Sequence, residues 1–81
     1  MVRPFMGKWS PCKRRDFIRK LRKIGFCRPE PGGNHYYMRY EAYTLTLPSN
    51  DEYSIPQIKM LLREIEDGID RKLSLDEWEK L

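Results

Sequence analysis

The chain is poor in the residues that build metal centres and covalent frameworks: it has one histidine, His35, and two cysteines, Cys12 and Cys27. A structural zinc site takes four ligands at motif spacing, and no CxxC pair is present, so a zinc-stabilised fold is not expected. Two cysteines are too few for a disulfide framework and are expected as reduced thiols, small and semi-buried, in an intracellular, cytoplasmic protein. No stretch approaches the roughly eighteen consecutive apolar residues of a transmembrane helix, and no membrane association is expected. The opening MVRPFMGKWSPCKRR lacks the apolar segment of a signal peptide. There is no Walker-type loop and no pair of carboxylates on opposed elements, so neither a phosphate-loop nucleotide site nor a magnesium site, nor any other metal or cofactor, is expected.

What the sequence does have is charge, unevenly spread. The net charge of +4 combines three different segments. Residues 1–24 hold nine Lys/Arg against Asp16, or +8; residues 25–48 balance at two against two; residues 49–81 hold five against nine, or −4. A basic face for a polyanion at one end is one reading of this asymmetry, and a solvated helix surface is the other.

The 81 residues suffice for one small domain, expected over 10–81 after an irregular lead-in over 1–9 with Pro4 and Gly7. In SPCKRRDFIRKLRKIGF, Ser10 is a candidate N-cap, Pro11 fits the first helical position and Gly25 fits the end. Phe17, Ile18, Leu21 and Ile24 recur at three- and four-residue spacing, which predicts one buried face on a basic helix. Three short strands are expected next: Phe26 to Glu30, an edge because of its prolines; Tyr36 to Tyr40; and Tyr43 to Leu47, with Glu41-Ala42 as a tight connection. Alternation sets His35, Tyr37 and Arg39 on one face and Tyr36, Met38 and Tyr40 on the other. In SIPQIKMLLREIEDG, Ser54 and Gln57 form a capping box, Ile58, Leu61, Leu62 and Ile65 form a stripe, and Gly68 marks the stop. SLDEWEKL repeats the device with Ser74 and Glu77. The expected fold is a small α+β domain of αβββα order, a three-stranded antiparallel sheet covered on one face by two helices, plus a short C-terminal helix. Trp9 and Trp78 are expected over the ends of the core, leaving the opposite sheet face and the loops for function.

The segment PGGNHYYMRY carries the chemistry to be weighed. Cleavage of RNA without a metal requires that a 2′-hydroxyl lose its proton and that the leaving oxygen gain one. Imidazole, with a pKa near about 6.5, can do either. Gly32 and Gly33 let a phosphate approach the backbone, Asn34 offers hydrogen bonds, and Lys13, Arg14, Arg15 and Arg39 offer positive charge. Tyr36 and Tyr37 are candidates for stacking on unpaired bases. The same residues also read as plain structure. Gly-Gly-Asn is a hairpin tripeptide, His35 a surface histidine beside it, and the tyrosines strand-packing aromatics.

Four stretches, in this order and spacing, resemble the HicA-type (YcfA-like) messenger-RNA interferase toxins. They are KRRDFIRKLRKIGF; GGNH, where that family has a small-residue pair, one variable residue and histidine; TLTLP; and IPQIKMLLREIE followed by SLDEW. The resemblance spans about Ser10 to Leu81. It implies a double-stranded-RNA-binding-like αβββα fold and a metal-independent endoribonuclease that cleaves mRNA with His35 as general acid/base. The resemblance also makes Gly33 part of the motif; on the chemistry of the residues themselves, Gly33 and Asn34 are expected to shape the phosphate pocket and Lys13, Arg14, Arg15, Arg39 and Tyr37 to contact RNA. It also implies a HicB-type antitoxin partner in a type II toxin–antitoxin system, the chain being a monomer alone and a hetero-oligomer with the antitoxin. The chain departs from the family in the tyrosines after His35 and in the acidic loop PSNDEYS. Two other readings are a non-catalytic RNA-binding module and a protein-interaction domain of the same fold.

Overall fold

Phe17 and Leu21 stand one helical turn apart and are both fully buried, which fixes the side that the basic helix turns inward. The computed structural model describes residues 9–81. Its elements are β1 (Cys12–Lys13), α1 (Arg14–Ile24), β2 (Glu30–Gly32), β3 (His35–Tyr40), β4 (Tyr43–Leu47), β5 (Glu52–Tyr53), α2 (Ile55–Ile69) and α3 (Leu75–Glu79). Strands β2, β3 and β4 form an antiparallel sheet in that order, and β1 and β5 form a separate two-stranded ladder. The result is a small α+β fold with a three-stranded antiparallel sheet.

The register sets the two sheet faces. Tyr36 opposes Leu47, Met38 opposes Leu45 and Tyr40 opposes Tyr43; between them Tyr37 opposes Thr46 and Arg39 opposes Thr44. Met38, Leu45 and Leu47 are buried and share the core with Phe17 and Leu21 of α1, and with Ile58, Leu61, Leu62 and Ile65 of α2. Both long helices therefore cover this one face, each buried side chain contributing about 1.5–3 kcal/mol of transfer free energy. The other face, carrying Tyr37, Arg39, Thr44 and Thr46, has no helix against it among the described residues. Trp78 of α3 closes one end of the core, its ring 5.1 Å from that of Phe17. Trp9 packs partly buried at the periphery, with the Lys59 ammonium 5.5 Å from its ring.

Several sequence expectations shift. The first strand of the sheet lies at Glu30–Gly32, not at Phe26 to Glu30. The earlier segment touches β3 through one bond, from Cys27 N–H to the Arg39 carbonyl (2.8 Å), before Pro29 interrupts the pairing. Ser10 does not cap α1, which starts at Arg14 after an extended Lys13 with no side-chain cap. Cys12 and Lys13 instead take strand geometry because Tyr53 and Glu52 pair with them. Gly68 does not stop α2; the helix continues to Ile69 and closes on Asp70 in the left-handed region, φ 55°. The Ser54 and Ser74 hydroxyls do accept from the N–H groups of Gln57 (3.3 Å) and Glu77 (3.1 Å). Gln57 completes no box with Ser54; its amide turns to Asn50 at 3.3 Å. Of the expected lead-in, residues 1–8 lie outside the described residues.

Candidate functional site

A two-residue hairpin positions His35. Gly32 pairs with His35, leaving Gly33 and Asn34 as the connection, and Gly33 takes φ 68°, a conformation that L side chains rarely adopt. His35 is thus the first residue of β3, and it is exposed, as are Gly33 and Asn34. No side chain among the described residues hydrogen-bonds to the imidazole. Strand alternation sends His35, Tyr37 and Arg39 to the helix-free face. Tyr37 is half-buried, because its ring lies over Gly32 so closely that a Cβ there would be 2.0 Å from the ring. Arg39 stands beside Glu30 at 3.4 Å, an exposed ion pair across β2 and β3.

The basic residues of α1 gather elsewhere. Lys13, Arg14, Arg15 and Ile18 line a cavity of about 480 Å³ together with Pro29, Tyr36 and Asp51. Its volume falls in the usual range of small-ligand clefts, roughly 300–1,000 Å³. The cations in it are not equivalent. The Arg14 guanidinium donates to the Ser49 carbonyl (3.0 Å) and lies 3.7 Å from the Asp51 carboxylate, while its backbone N–H donates to the Asp51 carbonyl (2.8 Å). Lys13 and Arg15 are exposed and have no carboxylate partner among the described residues. Tyr36 is one of two large apolar residues left open to solvent among the described residues, 47% exposed.

The residues expected to act together therefore divide in two. Gly33, Asn34, His35, Tyr37 and Arg39 lie on the hairpin and the helix-free face; Lys13, Arg14 and Arg15 lie at the head of α1. Tyr36 joins the groups, being the neighbour of His35 in the chain and a wall of the basic groove. Of the two tyrosines that the sequence offers for stacking, the groove contains Tyr36. Pro29, Ile18 and Asp51 had no signal as site residues, since only tertiary folding brings them to α1. The acidic PSNDEYS loop does border the basic residues, with Asp51 on the groove's rim.

Burial perturbs a few titratable groups near α1. The Cys12 thiol is pushed up by burial, opposed by the charge of Lys20, and Lys20 is lowered chiefly by its own burial. Tyr53, whose hydroxyl donates to the Pro48 carbonyl (2.8 Å), is pushed up to about 12 by burial, with Arg14 pulling the other way. Among the described residues, no three His, Cys, Asp or Glu side chains converge as a metal site, and no helix is long and apolar enough to cross a membrane. Comparison with protein-family models, with curated proteins and with solved structures gives no match for this chain.

Proposed function

We propose that this chain is an endoribonuclease working without a metal, its fold double-stranded-RNA-binding-like and its role that of a HicA-type mRNA-cleaving toxin held in check by a HicB-type antitoxin. The observation that carries this reading is an exposed imidazole at the mouth of a glycine hairpin, one residue along β3 from a groove walled by Lys13 and Arg15. In the reaction, His35 takes the proton of a ribose 2′-hydroxyl. The 2′-oxygen attacks the adjacent phosphorus, the bond to the 5′-oxygen breaks, and that oxygen takes up a proton from the imidazolium or from water. The products are a 2′,3′-cyclic phosphate and a free 5′-hydroxyl. Backbone N–H groups at Gly33 and Asn34 stabilise the charge that develops on phosphorus, and Arg39, on the same sheet face and paired with Glu30, adds positive charge nearby.

The test is purified protein on a labelled RNA in EDTA, wild type against His35→Ala. Wild type is expected to give cyclic-phosphate ends and the variant none, at unchanged thermal stability. Equal cleavage by the variant removes His35 from the reaction. A second reading, a non-catalytic RNA-binding module, draws on the absence of any side chain hydrogen-bonded to the imidazole among the described residues. It predicts salt-dependent RNA retardation with no products, indifferent to His35.

A further inference from the structure

The groove at the head of α1 combines three properties that need not coincide. It has a cavity of ligand size, two cations without carboxylate partners among the described residues, and an exposed aromatic ring sharing its lining with Pro29. An aromatic ring left open to water beside such cations suits a flat, polarisable group attached to an anion. A base with its phosphate is such a group. A double helix hides the faces of its bases in the stack, so the ring can serve only a base that is unpaired.

We infer that this groove is a subsite for one unpaired nucleotide of an RNA strand, Tyr36 stacking on the base and Lys13 and Arg15 holding the flanking phosphates. Arg14 contributes less, because Ser49 and Asp51 already engage its guanidinium. The Asp51 carboxylate, 98% exposed on the rim, opposes the phosphates and keeps the subsite weak. An RNA strand seated here reaches His35 only by passing around the β2–β3 hairpin, because Tyr36 and His35 are adjacent on β3 but point to opposite faces. The inference rests on the RNA-binding part of the reading above and is independent of the cleavage step.

The experiment measures binding by fluorescence anisotropy in the His35→Ala background with RNA whose 2′-hydroxyls are methylated, so that the probe survives whatever the catalytic outcome. Its probes are a short labelled single-stranded oligoribonucleotide and the matching duplex. Tyr36→Ala is expected to weaken single-strand binding about tenfold and to leave duplex binding unchanged, while Tyr36→Phe retains the wild-type value. Lys13→Ala with Arg15→Ala is expected to lower the log–log salt slope by about 0.7 for each phosphate that is no longer neutralised. Asp51→Asn is expected to tighten binding a few-fold. Single-strand affinity indifferent to Tyr36→Ala, or polyglutamate displacing the RNA with no dependence on Tyr36, overturns the subsite. RNA binding that persists in that case leaves the broader RNA reading standing. No RNA binding by any form of the protein defeats both.

Discussion

Gly68 of α2 lies directly against the ring of Tyr43 on β4: a Cβ at position 68 would sit 2.3 Å from the nearest ring carbon. The contact joins the end of the long helix to the start of the edge strand. It also explains why a glycine read as a stop in the sequence is found inside the helix. So close an approach requires that no side chain stand there, and the chain continues helical for one more residue.

In an exposed helix interior, glycine to alanine normally stabilises by about 1 kcal/mol. Here the sign reverses. Gly68→Ala is expected to lower the urea midpoint, because the Tyr43 ring, packed against Phe26 at 6.4 Å, must move. In a Tyr43→Leu background the same change is expected to cost less or to stabilise, and a double-mutant cycle measures the difference.

Alkaline stability tests Tyr53. Its hydroxyl titrates at about 12 in the folded chain against an ordinary value of about 10, and the neutral form is the one that donates to Pro48. A raised folded value contributes stability that is complete below about pH 10 and is lost as pH rises through about 12. The unfolding midpoint is therefore expected to fall across that window. Tyr53→Phe is expected to be less stable at neutral pH by about 1 kcal/mol and to fall less steeply from about pH 10 upward.

Lys20 ties α1 to α3. Its ammonium donates to the Trp78 carbonyl (2.9 Å) and stands 4.9 Å from the Trp78 ring, the arrangement favoured at a helix C-terminus. Lys20→Met keeps the stem and removes the charge. It is expected to cost about 1 kcal/mol, seen as a lower urea midpoint at unchanged slope.

The β2–β3 hairpin tests the foundation under His35. At Gly33 space is open around the absent Cβ, but φ is 68°. Gly33→Ala is expected to cost about 1–2 kcal/mol through backbone strain alone, and Gly33→Asn less, because asparagine tolerates this region. Thermal unfolding of the two variants shows the ranking.

What could be read in the sequence was what repeats locally. The spacing of Phe17 and Leu21, and of Ile58, Leu61, Leu62 and Ile65, predicted which helix faces are buried, since a helix expresses its environment every three or four residues. Alternation in β3 and β4 likewise sorted His35 from Tyr36. The misread positions depend on partners far along the chain or across a turn. Pro31 and Gly32 have turn composition, yet pair with Tyr36 and His35. Ser10-Pro11 has the form of a helix start, but the ladder with Glu52 and Tyr53 holds the next two residues extended. The groove was hidden for the same reason. Asp51 and Ser49 meet Arg14 only after folding, and no local pattern announces that meeting.

The Arg14 guanidinium reaches a carbonyl thirty-five positions away, at Ser49. Closing a loop of that length is offset only late, after nearer contacts have formed. While the polypeptide is emerging from the ribosome, the cationic cleft has one wall and no rim. Its rim forms only when the loop before α2 has been synthesised and has docked, so a partly folded chain carries the cations of α1 without the Ser49 and Asp51 oxygens that face Arg14 in the finished fold.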